Sequence, residues 1–130
     1  MPSAWRDAQQ GAPGIIADLE LPDARLIVHI ATVSMLTTAD GFANAEVQMA
    51  LRGFDHVDRT ERAVVRIDRA VGLDDRWSGA VRGVRLVERQ YAFVVGTRGY
   101  VFEFTFYTPA DEGAALSQAA EIAASIRLAR

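Results

Sequence analysis

The segment Tyr100-Val-Phe-Glu-Phe-Thr-Phe-Tyr107 decides how this chain is read. Side chains of a β-strand alternate between faces, so Tyr100, Phe102, Phe104 and Phe106 point one way. Val101, Glu103, Thr105 and Tyr107 point the other. A strand with one aromatic face needs a cover. The turn signal Thr108-Pro109-Ala110-Asp111 follows, and then a run from about Asp111 to Leu128 in which Leu116, Ala119, Ala123 and Ile126 share a helical face. Asp111 and Glu112 at its start and Arg127 and Arg130 at its end suit the helix dipole. The last third of the chain therefore predicts a strand roofed by a helix of small residues.

Upstream, Gly96-Thr97-Arg98-Gly99 reads as a hairpin connection. Val81 to Val95 reads as a long strand whose apolar phase shifts, which predicts a bulge or a strong twist near Val87. Ser78-Gly79 is a turn signal, and Ala70 to Trp77 a strand before it. Thr60 to Asp68 alternates Ala63, Val65 and Ile67 with charged residues, the pattern of a strand with one covered face. Between about Asp40 and Gly53, Phe42, Ala43, Val47, Ala50, Leu51 and Phe54 recur at helical spacing, with Thr38 or Asp40 as cap. Arg25 to Val33 is apolar on both faces and predicts a central strand. Ile15 to Leu21 is a shorter strand, joined to it by the turn Leu21-Pro22-Asp23-Ala24. Residues 1–13 read as irregular. The expectation is one α+β domain spanning 1–130, a central twisted antiparallel sheet with helices on both faces.

Composition narrows the chemistry. The 130 residues are half hydrophobic, enough for a real core. With no cysteine, disulfides, thiol catalysis and thiolate metal sites are excluded. All fourteen basic residues are arginine, which excludes a lysine Schiff base and a phosphate-loop lysine. A net charge of −3 with interspersed signs gives no basic stripe for nucleic acid. No stretch approaches the ~18–20 apolar residues of a spanning helix, so no membrane insertion is expected. Trp5, Arg6, Asp7, Gln9 and Gln10 stand where a signal peptide would be apolar, so a cytoplasmic location is expected.

The order of elements, with Trp5-Arg-Asp, Gly53-Phe54 before Thr60-Glu61-Arg62, Val87-Glu-Arg-Gln-Tyr91 before Tyr100-Val-Phe-Glu-Phe-Thr, and Ala124-Ser125-Ile126, resembles the PsbP-like superfamily. That superfamily takes in photosystem PsbP, the actinobacterial lipoprotein LpqN, DcrB-like proteins and the Eag chaperones of type VI secretion effectors. The resemblance runs from about Trp5 to Leu128. It implies an α/β/α layering and a non-catalytic role in binding or assisting another protein. The chain departs from LpqN in lacking a lipobox.

Several clusters offer candidate chemistry. Asp55-His56-Val57-Asp58 offers an acid–imidazole group after the first helix; the plainer reading is a solvated loop. His29 lies mid-strand, where a general base would need an orienting carboxylate such as Asp18 or Glu20; the plainer reading is a histidine satisfied by one hydrogen bond. Asp74 and Asp75, with Asp68 and Glu88, could gather carboxylates, but Arg69, Arg76 and Arg89 favour a salt-bridged sheet face. Arg62, Arg66, Arg82, Arg85 and Arg89 could present a cationic face, although acidic residues interleave with them. Ser34, Ser78, Ser117 and Ser125 lack a nucleophile-elbow setting. No catalytic residue, metal or cofactor is expected.

Trp5, Trp77, Tyr91 and Tyr107 could line a partner groove, with Arg85 and Arg89 orienting the partner. The expected function is thus a non-enzymatic protein-binding accessory module, chaperone-like for a secreted effector or envelope protein. Two alternatives stay open: a small-molecule or enzymatic domain with a pocket near His29, and a homodimer paired through a sheet edge.

Overall fold

A computed structural model describes residues 6, 7 and 15–127. The strands are β1 (Arg6–Asp7), β2 (Ile15–Leu21), β3 (Ala24–Thr32), β4 (His56–Ile67), β5 (Ala70–Val81), β6 (Val84–Val95) and β7 (Arg98–Tyr107). The helices are α1 (Ala39–Leu51) and α2 (Glu112–Ala124). All seven strands join one open antiparallel sheet in the order β1-β2-β3-β7-β6-β5-β4. Each strand from β4 to β7 pairs with the next in sequence by a hairpin. The pairing of β3 with β7 closes the long range. It sets Leu26 opposite Phe104 and Val28 opposite Phe102.

The aromatic face of β7 lies under α2, as its alternation predicts. Phe104 and Phe93 are fully buried, with Leu26, Val28, Val87, Tyr91 and Phe106 around them. Phe93 stacks on Tyr100 and Phe102, and Tyr91 meets Phe104 edge-on. From α2 this core receives Ala115, Ala119, Ile122 and Ala123. Their short side chains let the helix approach the rings closely. Asp111 caps α2, its carboxylate accepting from the amide of Ala114.

Helix α1 lies on the opposite face. Phe42 and Ala43 pack with Leu73, Ala92 and Val101. Thr38 is its cap, accepting from the amide of Gly41. The Phe42 ring occupies the space over Gly99, where any Cβ would come within 2.5 Å of it. The hairpin glycine of the sequence reading is therefore a strand residue kept bare for an aromatic ring.

Three local expectations are corrected. Ser78 and Gly79 are not a turn; β5 runs through them to Val81 and reverses at Arg82-Gly83, both with positive φ. No bulge interrupts β6 at Val87: its register with β5 and β7 is continuous there. Both faces of β6 are apolar because both are covered by helices. Residues 1–13 are not wholly irregular, since Arg6 and Asp7 pair with Glu20 and Leu19. Register shifts do occur elsewhere, in β4 between Val57 and Arg59 and in β2 between Ile15 and Ala17.

Candidate functional site

The sheet separates the expected contact residues. Trp77 and Tyr91 are buried, and on opposite faces. Trp77 donates its indole N–H to Glu88 at 2.9 Å on the α1 face. Tyr91 lies beneath Arg89 on the α2 face, the guanidinium carbon 5.3 Å from the ring centre. Tyr107 is 37% exposed at the end of β7. Arg85 is exposed and donates to Asp58 at 2.6 Å and to Glu112 at 2.9 and 2.5 Å. Its hydrogen bond holds the Asp58 carboxyl below the usual carboxylate range. Arg85 thus ties the β4 bulge to the start of α2. Trp5 lies outside the described residues. The five described residues do not form one groove, because Trp77 and Tyr91 are buried on opposite faces of the sheet.

The other clusters are also divided by alternation. Asp74 and Asp75 face opposite sides: Asp74 holds Arg89 at 3.0 and 2.6 Å, and Asp75 holds Arg62 at 2.6 and 3.1 Å. Arg62 also donates to Asn44 of α1. The salt-bridged reading of these acids describes what the fold builds, and no single cationic face results. Asp18 does not orient His29; it is committed to Arg25 at 2.8 and 2.6 Å. His56 opens β4 rather than sitting in a loop, and its Nε2 lies 2.7 Å from Asp58. Among the described residues no three acidic or imidazole groups converge as metal ligands.

Two features were not visible in the sequence. On the α1 face, Glu88 accepts from Trp77 and, at 2.6 Å, from the Thr105 hydroxyl. Burial, reinforced by the neighbouring Glu88, pushes the Glu103 carboxyl up to about 8. Gln90, directly opposite Glu103, is fully buried with both amide atoms unpartnered. Under α2 lies a half-open pocket of about 200 Å³, with Val65, Ile67, Ala120, Ala123 and Ala124 as apolar walls, Asp74, Arg89 and Tyr91 at its polar end, and the exposed Arg66 at its rim. Among the described residues the buried Tyr91 hydroxyl finds no acceptor for its proton, although the Arg89 guanidinium lies against it.

The sheet also leaves one long edge open. β4 has twelve residues, pairs among the described residues only with β5, and is exposed from His56 to Val64. Val64 is 74% exposed. The unbulged part presents Thr60-Glu-Arg-Ala-Val-Val-Arg66, flanked by charge at both ends. No helix of the described residues is long and apolar enough to cross a membrane.

No family profile and no curated protein matches the sequence. Solved structures do. The crystal structure of PA94, a Pseudomonas aeruginosa protein of unknown function proposed as a regulator, superposes with a TM-score of 0.68 at 12% identity. The match covers 85% of this chain and 78% of that one. The solution structure of cyanobacterial PsbP (CyanoP) from Synechocystis sp. PCC 6803 matches with a TM-score of 0.58 at 17% identity. It covers 96% of this chain and 81% of that one. At these identities the likeness is one of fold: the chain has a PsbP-like α+β fold. The resemblance to LpqN and DcrB-like proteins has no sequence match behind it.

Proposed function

We propose that this protein is a non-catalytic accessory module that binds another polypeptide in extended form along β4. One observation carries the reading: a twelve-residue edge strand has its outer side open, with exposed side chains over most of its length. An open edge is a row of unpaired backbone donors and acceptors, and strand addition supplies affinity through them. The bulge at Asp58 and the charges Arg59, Glu61, Arg62 and Arg66 discourage unselective pairing. They leave Ala63-Val64-Val65 as an uncharged stretch for a partner whose flanking charges complement them. In its fullest form the partner is a secreted or envelope polypeptide, as the resemblance to Eag chaperones implies.

The test compares the wild-type chain with a Glu61→Arg, Val64→Arg double variant in co-purification followed by mass spectrometry. A partner retained by the wild type and lost by the variant supports the reading. An identical partner set, or a wild-type dimer in light scattering that the double variant turns into a monomer, sinks it. The dimer result would give the β4 edge to a second copy instead.

A further inference from the structure

We propose that the cavity beneath α2 is a binding site for a small, uncharged organic molecule whose carbonyl oxygen accepts a hydrogen bond from Tyr91. This site borders β4 at Val65 and Arg66 but opens beneath α2, and it does not depend on the polypeptide reading.

The cavity holds about 200 Å³ between α2 and the β4–β5–β6 part of the sheet. A dry cavity of about 150 Å³ suffices for a benzene-sized guest. Val65, Ile67, Ala120, Ala123 and Ala124 give it apolar walls. Several waters would fit by volume, since each occupies about 30 Å³, but each needs two to four polar partners. Apart from the exposed Arg66 at the rim, these walls supply almost none.

The polar end sets the chemistry of the guest. Asp74 spends both oxygens on Arg89, and Arg89 sends its remaining nitrogen to the carbonyl of Leu116 at 2.8 Å. This pair is already neutralised. An anionic guest would lie against Asp74, and a cationic one against Arg89 and Arg66; Arg66 is exposed at the rim, where water screens its pull on an anion. The free capacity is the Tyr91 hydroxyl, on a side chain only 2% exposed that lines the cavity. Burial pushes this phenol up to about 12, so it keeps its proton at neutral pH and can donate. A buried donor without an acceptor is costly, and a guest carbonyl removes that cost.

The test uses three probes of one shape: cyclohexanone, cyclohexanecarboxylate and protonated cyclohexylamine. Each is titrated into the ¹⁵N-labelled chain while backbone amide shifts are followed. Cyclohexanone at millimolar concentration is expected to move the amides of Val65, Tyr91, Ala120 and Ala123 in a saturable way. The charged probes are expected to bind at least tenfold more weakly. Tyr91→Phe should weaken cyclohexanone about three- to tenfold, the range of one hydrogen bond. Ala120→Leu, which fills the mouth, should abolish the shifts while leaving the folded spectrum intact. Absence of saturable shifts at these residues, equal affinity for the carboxylate, or an unchanged affinity in Tyr91→Phe would overturn the proposal.

Discussion

Glu103 and Glu88 stand on neighbouring strands of the same buried face and share a hydrogen bond. Glu88 also accepts from Trp77 and Thr105, so its two oxygens are held as acceptors. Glu103 is therefore the partner that keeps the proton. The charged groups bearing on it are Glu88 of β6, Glu46 of α1 and, in the opposite sense, Arg25 of β3.

The sign of the pH dependence follows. Glu103 titrates near 8 in the folded chain and near its ordinary value when unfolded. The folded state therefore binds more protons between these values, and stability falls as pH rises through that window. Thermal unfolding between pH 5 and 9 is expected to show a declining Tm. Glu103→Gln should raise Tm at pH 9 and flatten the decline, by about 4 °C per kcal/mol removed. A Tm rising from pH 5 to 8 in the wild type would contradict the assignment.

The Asp74–Arg89 pair is nearly buried, with side chains 9% and 12% exposed. Removing one partner leaves the other charge stranded. Asp74→Asn is expected to cost about 3–5 kcal/mol in urea unfolding. Asp74→Leu with Arg89→Met should recover most of that loss. A loss under about 1 kcal/mol in the single variant would show that the pair is more hydrated than its burial implies.

Gly99→Ala places a methyl group against the Phe42 ring. Overpacking of this kind costs about 1–3 kcal/mol. Phe42→Leu in the same chain should return part of it, which a double-mutant cycle would measure. Strict additivity of the two changes would mean that the ring does not rest on Gly99.

On β4 the opposite is expected. Val64 is exposed, so Val64→Arg should change stability by under about 0.5 kcal/mol. Glu61 pairs with Arg59 at 3.2 Å and Arg76 at 3.3 Å, so Glu61→Arg should cost about 1 kcal/mol and leave the chain folded. Loss of a partner by the double variant then reports on recognition and not on folding.

The strands and helices were legible where periodicity was clean. The β7 aromatic face, the Pro22-Asp23 turn and the α2 stripe all follow from side-chain spacing. Reading failed where one strand is buried on both faces. The mixed phase of β6 imitates a bulge, and only the helix on each side explains it. Ser78-Gly79 imitates a turn because small residues serve two purposes: here a Cβ at Gly79 would strike Phe54 and the backbone of His56.

Spacing along the chain determined that the aromatic face of β7 would need a roof, and that absent cysteine and lysine close whole classes of chemistry. These are properties of composition and local geometry, and they survive any packing. Only the tertiary structure decided that Trp77 and Tyr91 are interior residues on opposite faces, that Glu103 meets Glu88, and that β4 stands at the edge of the sheet with its outer side open. Each depends on which strands become neighbours, and strand order is set by the joint burial of both sheet faces, a long-range property no single segment carries.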